Sequence, residues 1–279
     1  MENLEAKLIQ DNWVNAQQLS LAKQEAKRCG KSVWVNLLKL GYLSEEDITI
    51  FLAQESGITY VRVSDYELSD EIIRLVDENF CRENQVIPLF KIKDTLFVAC
   101  TNPLDTVLVD SLTKLTGCNI EPLMSTAHLI TQAQDYYYGV EDKSFALEKF
   151  IFRRTPLRGF MFGRESERLP LNIPVSLKVE DKGLVLHYSS AIEAHTRNIS
   201  QGGTAVGLHI FLFLPKGTNL SLEFKLAGGL SQEPSQIIKA KGEVVYCLME
   251  KGQHYFLGIK FTEIEDTARS QLLKLASRG

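Results

Sequence analysis

Between Val175 and Phe261 apolar and polar residues alternate with a period of two in a series of short runs. This alternation confines the C-terminal part of the chain to antiparallel β-structure. The runs fall at residues 176–180 and 184–188, around an Asp181-Lys182-Gly183 turn, and then at 192–199, 204–210, 219–226, 236–246 and 254–261. Six or seven strands of this length are expected to form a small barrel, which leaves fewer edges open than a flat sheet, with a helix over residues 264–275 covering one end.

The period is different upstream. Shifting the sequence by 29 residues lays Leu4 on Val33, Leu8 on Leu37, Trp13 on Tyr42, Val14 on Leu43 and Leu19 on Ile48, with Asn12 falling on Gly41. The spacing within each copy is helical, and Asn15 and Ser44 stand as N-caps with Gln18 and Asp47 at the third helical position. Each copy therefore predicts a short helix, a turn and a second helix. From about Ile58 short strands and helices alternate. Ser69 caps a helix to Leu75, and strands at 86–92 and 96–100 flank a Lys93-Asp94 turn. A helix at 105–115 ends at Gly117, and a last one runs from about Thr126, behind a Ser125 cap, to Gly139. The fold class is multidomain α+β. It comprises a helical repeat (1–57), a small α/β sandwich (58–140), a partly helical linker (141–158) and a six- or seven-stranded antiparallel barrel with a terminal helix (159–279).

Net charge is −4, which argues against a general nucleic-acid or membrane-surface binder, yet the arginines cluster. Arg153, Arg154, Arg158, Arg164 and Arg168 share a stretch whose acids are Glu165 and Glu167, so the patch calls for a local anion. Arg164 and Arg168 form a hook on a segment that Pro170 and Pro174 keep from continuing as a helix, which predicts a mobile or turning strap. Guanidinium groups bind both phosphate oxygens and the O6/N7 edge of guanine. Downstream, Asn198 and Ser200 offer small hydrogen-bonding groups, and Gly202-Gly203 permits a tight turn and close backbone approach. Together these residues describe a guanine-nucleotide site.

Arg164-Glu165-Ser166-Glu167-Arg168, the following Leu169-Pro170-Leu171-Asn172-Ile173-Pro174-Val175, then Asn198-x-Ser200-x-x-Gly203 and a closing strand at 255–261, resemble the two-part signature of PilZ domains. Those domains bind cyclic di-GMP. The resemblance implies ligand contacts from Arg164, Arg168, Asn198, Ser200, Gly202 and Gly203, with Arg158 and Arg197 as second-rank candidates. The helical repeat, the stretches at 86–89 and 96–105, and Tyr138-Gly139 resemble the N-terminal module of secretion and pilus assembly ATPases, of the type called MshEN or GspE N-terminal. Some of those modules bind the same nucleotide through paired R-L-G-x-x-L-V motifs. Here the leading Arg is Asn3 or Ser32, the following Gly is Glu5 or Trp34, and the final Gln is Ala26 or Glu55, so the repeat reads as a scaffold without the ligand.

Catalytic constellations are missing from the sequence. Gly30-Lys31-Ser32 lacks the upstream glycine of a phosphate loop, and His128, His187, His195, His209 and His254 show no metal-ligand spacing. The five cysteines lack a CxxC pair, and the chain shows no apolar segment of membrane-spanning length and no secretory pattern at its start. The expectation is a cytoplasmic bacterial receptor and adaptor. It has no catalytic activity, metal or cofactor, takes cyclic di-GMP on its barrel, and passes the signal to a partner docked on its N-terminal module, a protein of a type IV pilus, secretion or motility system. The alternative is a ligand-independent structural protein of the same machinery with a degenerate nucleotide site.

Overall fold

The structure, a computed structural model, describes residues 4–139, 168–187, 191–200, 203–226, 236–250 and 254–277. The expected linker at 141–158 lies outside them. The chain divides into two compact units, residues 1–60 and 61–279. In the first, α1 (Leu4–Gln10), α2 (Ala16–Cys29), α3 (Val33–Lys39) and α4 (Glu45–Ser56) repeat the helix–turn–helix pattern. Asn15 and Ser44 each close a capping box, with Gln18 and Asp47 respectively. The matched turn residues Asn12 (φ 58°) and Gly41 (φ 69°) are both left-handed, which is why the two copies tolerate asparagine and glycine there. Leu8 and Leu37, equivalent under the 29-residue shift, are both fully buried, and they share one core with Phe51. Gly30 ends α2 in the left-handed conformation and Ser32 caps α3, so Gly30-Lys31-Ser32 is a helix–helix junction.

The first part of the second unit holds a three-stranded sheet. β2 (Val86–Ile92) and β3 (Thr95–Cys100) form a hairpin through Lys93 (φ 55°), and β4 (Asn119–Met124) adds parallel to β3. Neither β4 nor the short helix α6 (Glu78–Glu83) is legible in the sequence pattern; Pro122 interrupts the first, and the second is six residues, under two turns, long. α5 (Asp70–Ile73) starts at the Ser69 cap, and α7 (Thr106–Thr116) runs from the Asp105 cap to left-handed Gly117. α8 (Ala127–Tyr138) is capped by Thr126. Ser125, the residue expected to cap it, instead donates its buried hydroxyl to the Val61 carbonyl at 2.8 Å.

The barrel follows. β6 (Pro174–Val179), β8 (Ile192–Ser200), β9 (Ala205–Ile210), β10 (Asn219–Leu226), β11 (Gln236–Glu250) and β12 (His254–Ile264) pair antiparallel in the order β8-β6-β10-β11-β12-β9. β9 pairs again with β8, which closes the ring of six. β5 (Arg168–Pro170) adds as a seventh strand on β8, and its outer position accommodates Pro170, which has no N–H to donate. Val175, Leu177, Leu208, Leu222, Phe224, Val244, Leu257 and Ile259 fill the interior, and α9 (Asp266–Ala276) packs Leu272 against it.

One expected barrel strand leaves the barrel. The run at 184–188 does not fold back on β6; its segment β7 (Val185–Leu186) pairs with β1 (Tyr66–Glu67) of the α/β part. The approach is close enough that a Cβ on Gly183 would collide with the Lys91 carbonyl. Across this seam Tyr66, 1% exposed, donates its hydroxyl to the Phe213 carbonyl at 2.7 Å, and Phe97 meets the Phe213 ring at 6.4 Å. The α/β part and the barrel thus share a single apolar core, from Phe90 and Ile130 to Phe224 and Leu272.

His187 lies on the same seam, 3.1 Å from the Tyr137 hydroxyl, and burial holds its pKa below the ordinary 6.5 against the opposing pull of Glu67. With the folded value depressed, the unfolded chain takes up the proton first. This group's contribution is therefore full above about pH 6.5 and is lost as pH falls through the folded value. Urea midpoints should decline between pH 7.5 and 5.5, and His187→Gln should flatten that decline. An unchanged slope in the variant would remove His187 from the account.

Candidate functional site

The outer face of β5, β8 and β9 gathers the predicted residues that the structure describes. Arg168 pairs with Ser200 across the β5–β8 ladder, and its Nη1 donates to Asn198 Oδ1 at 2.9 Å. That bond uses one of the five guanidinium N–H donors, and with Oδ1 accepting, the Asn198 side-chain NH2 is the donor end of the amide. The backbone beneath is fixed: Leu171 N–H donates to the Arg197 carbonyl at 3.0 Å, and buried Thr196 donates its hydroxyl to the Leu171 carbonyl at 2.7 Å. Arg168 itself is therefore held in a strand; the rest of the expected mobile or turning strap lies outside the described residues. Arg158, Arg164 and Gly202 lie outside the described residues.

Ser200 and Gly203 build the turn that follows. The Ser200 carbonyl accepts from Gly203 N–H at 2.8 Å, and its hydroxyl oxygen accepts from the N–H groups of Thr204 and Ala205, both at 3.1 Å. Gly203 is left-handed (φ 61°), and a Cβ there would stand 2.7 Å from Cγ of Arg269 on α9. Gly203→Ala should cost roughly 1 kcal/mol or more through backbone strain and displacement of Arg269. An unchanged thermal midpoint would contradict that role.

The structure also brings in residues that sequence reasoning passed over. Gly207 lies opposite Asn198, and a Cβ on it would fall 2.6 Å from Asn198 Oδ1, 2.8 Å from Phe256 Cζ and 3.1 Å from Arg168 Nη1. Its missing side chain is the space in which Arg168, Asn198 and Phe256 meet. A lone glycine inside the apolar strand 205–210 is the available sequence signal for such an approach. A register shift in the β8–β9 ladder between Thr196 and Asn198 marks a bulge, and Arg197 and Asn198 are both half-buried where strict alternation would bury one. Arg197 Nη1 donates to His209 Nε2 at 3.1 Å and lies 3.7 Å from Glu250 Oε1, while its guanidinium carbon stands 5.6 Å from the Phe256 ring centre. His209 Nδ1 is 3.2 Å from Glu250 Oε2. Burial and the neighbouring Arg197 lower the His209 pKa, and burial raises that of Glu250. A neutral His209, accepting from the arginine and donating to the carboxylate, satisfies both contacts.

In the helical unit, positions where the sequence departs from the nucleotide-binding repeat carry packing contacts. Glu5 pairs with Lys23 and Glu55 with Lys7, each at 2.6 Å, and Trp34 lies on Phe51 at 5.8 Å. Among the described residues no group of His, Cys, Asp or Glu is arranged to hold a metal ion, and no helix is long and apolar enough to cross a membrane.

The MshEN domain family matches residues 56–144 and the PilZ domain family residues 163–278. Over 144 residues the chain is 30% identical to the type IV pilus assembly ATPase PilB of Myxococcus xanthus, covering 52% of this chain and 25% of that protein. It is 27% identical over 139 residues to the PilB of Thermus thermophilus, covering 49% and 16%. The chain thus matches a quarter or less of these relatives. A solved structure of MshE with cdg is 24% identical, with a TM-score of 0.40, and covers 50% of this chain and 100% of that one. This chain carries an MshEN domain followed by a PilZ domain.

Proposed function

We propose that the protein is a receptor for cyclic di-GMP that binds the nucleotide on the outer barrel face around Arg168 and Asn198. Arg164, Ser200, Gly202 and Gly203 complete the site, and Arg158 and Arg197 flank it. The protein binds and does not catalyse. It works in the cytoplasm, and its MshEN part docks on a protein of a type IV pilus, secretion or motility machine. The observation that carries this reading is the 2.9 Å contact of Arg168 with Asn198, inside the space that Gly207 leaves, on the part of the chain that matches the PilZ family. The identity of the first half to PilB supports the choice of machine.

Calorimetric titration of the full chain with cyclic di-GMP tests the reading. Saturable binding is expected, weakened at least about tenfold by Arg164→Ala through loss of charge-assisted hydrogen bonds. Gly207→Ala should weaken it comparably while the barrel stays folded, because the new Cβ separates Arg168 from Asn198. A second reading, a structural protein of the same machinery that needs no ligand, draws on the contacts that already occupy the Ser200 hydroxyl. Absence of binding to the wild-type chain would favour it.

A further inference from the structure

A cleft of about 600 Å³ opens on the outer barrel face, lined by Arg197, His209, Phe211, Glu250 and His254 among others. It adjoins the Arg168–Asn198 pair, separated from it by the Phe256 ring. One edge of that ring lies over Gly207, beside Arg168 and Asn198, while Arg197 and His209 stand over the ring, the latter at 5.3 Å between centres. We infer that this cleft is a second base-reading subsite, in which Glu250 and Arg197 recognise a guanine and Phe211 and His254 stack on it. The inference rests on the proposed reading that the barrel takes a cyclic dinucleotide; it assigns the second guanine.

The chemistry follows from the two polar groups. An ionised carboxylate only accepts hydrogen bonds, and the Watson–Crick edge of guanine offers two adjacent donors, N1–H and the N2 amino group. Adenine presents an acceptor at N1, which a carboxylate repels. Arg197 supplies the donors that guanine O6 and N7 accept. His209 bridges the two and spaces them, through its 3.1 Å contact with Arg197 and its 3.2 Å contact with Glu250. Phe211 is 57% exposed, an unusual position for a phenylalanine, and its ring lies 4.7 Å from that of His254. His254 Nε2 is buried and has no hydrogen-bond partner among the described residues, so a ribose hydroxyl of the bound nucleotide, lying in the plane of the ring, would satisfy it.

The test uses the full chain titrated with cyclic di-GMP, cyclic di-AMP and the mixed cyclic GMP–AMP. Wild type is expected to favour cyclic di-GMP over the mixed dinucleotide. Glu250→Gln should weaken cyclic di-GMP at least about tenfold and erase that preference, because the amide replaces one acceptor oxygen with an NH2 donor that faces a guanine donor. Phe211→Ala, at an exposed position whose loss leaves the fold intact, should weaken all three by at least about fivefold through lost stacking. If wild type binds and Arg168→Ala weakens it, but Glu250→Gln and Phe211→Ala alter neither affinity nor preference, the subsite is refuted and the receptor stands. Failure of the wild type to bind any of the three overturns both.

Discussion

Tyr66→Ala is expected to destabilise the α/β part and the barrel together, by about 3–5 kcal/mol, the range for removing a large buried aromatic side chain. Tyr66 is 1% exposed, packs its ring 5.0 Å from that of Phe90, and donates its hydroxyl across the seam to Phe213. Truncation opens a cavity where the two parts meet and leaves the Phe213 carbonyl without that donor. Because one apolar core runs through both, unfolding free energies should fall by a similar amount in β2 and β3 as in β10 and β11. Amide hydrogen exchange reads these strands separately. Tryptophan fluorescence does not, since Trp13 and Trp34 both belong to the helical unit. Loss of protection confined to β2 and β3, with the barrel unaffected, would show that the seam is not a cooperative link. Tyr66→Phe, which removes only the hydroxyl, should cost about 1 kcal/mol.

The second large effect concerns Arg168. Its guanidinium is proposed to meet the nucleotide while remaining tied to Asn198, so Arg168→Ala removes a charge-assisted contact of roughly 1.5–3 kcal/mol, a loss of about tenfold to a hundredfold in affinity. Asn198→Ala alone should cost less, because the arginine keeps its charge and its place in β5. The double variant should lose less than the sum of the two, since each single change already breaks their 2.9 Å bond. Additive losses in a double-mutant cycle would show that the two side chains act on the ligand independently. Thermal midpoints of the variants should stay near that of wild type, because Arg168 and Asn198 are only half-buried and lie on the outside of the barrel.

The sequence made some of this architecture readable and hid the rest for identifiable reasons. Local signals carried well. The alternation at 204–210 and 219–226 matches β9 and β10, and the Asn15 and Ser44 caps and the left-handed Lys93 turn follow from residues within a few positions of one another. The fate of residues 184–188 did not carry, because a short apolar run after a Lys-Gly turn reads as the return arm of a hairpin. Its actual partner, Tyr66–Glu67, lies more than a hundred residues away, where no local pattern points to it. The site divides in the same way. Arg168, Asn198, Ser200 and Gly203 are found by their motif. Gly207, Phe256 and Glu250 join them through cross-strand register, in which β12 sits between β9 and β11. The bulge beside Arg197 adds a further shift that strict alternation does not anticipate.

The most direct test of the central claim is hydrogen exchange of the full chain with and without saturating cyclic di-GMP. The account predicts slowed exchange in β5, in β8 from Thr196 to Ser200, in the turn at Gly203 and in β9, with residues 4–56 unchanged. Slowed exchange confined to the helical unit would place the ligand on the repeat whose departures at Glu5 and Trp34 argue against it, and would contradict the account.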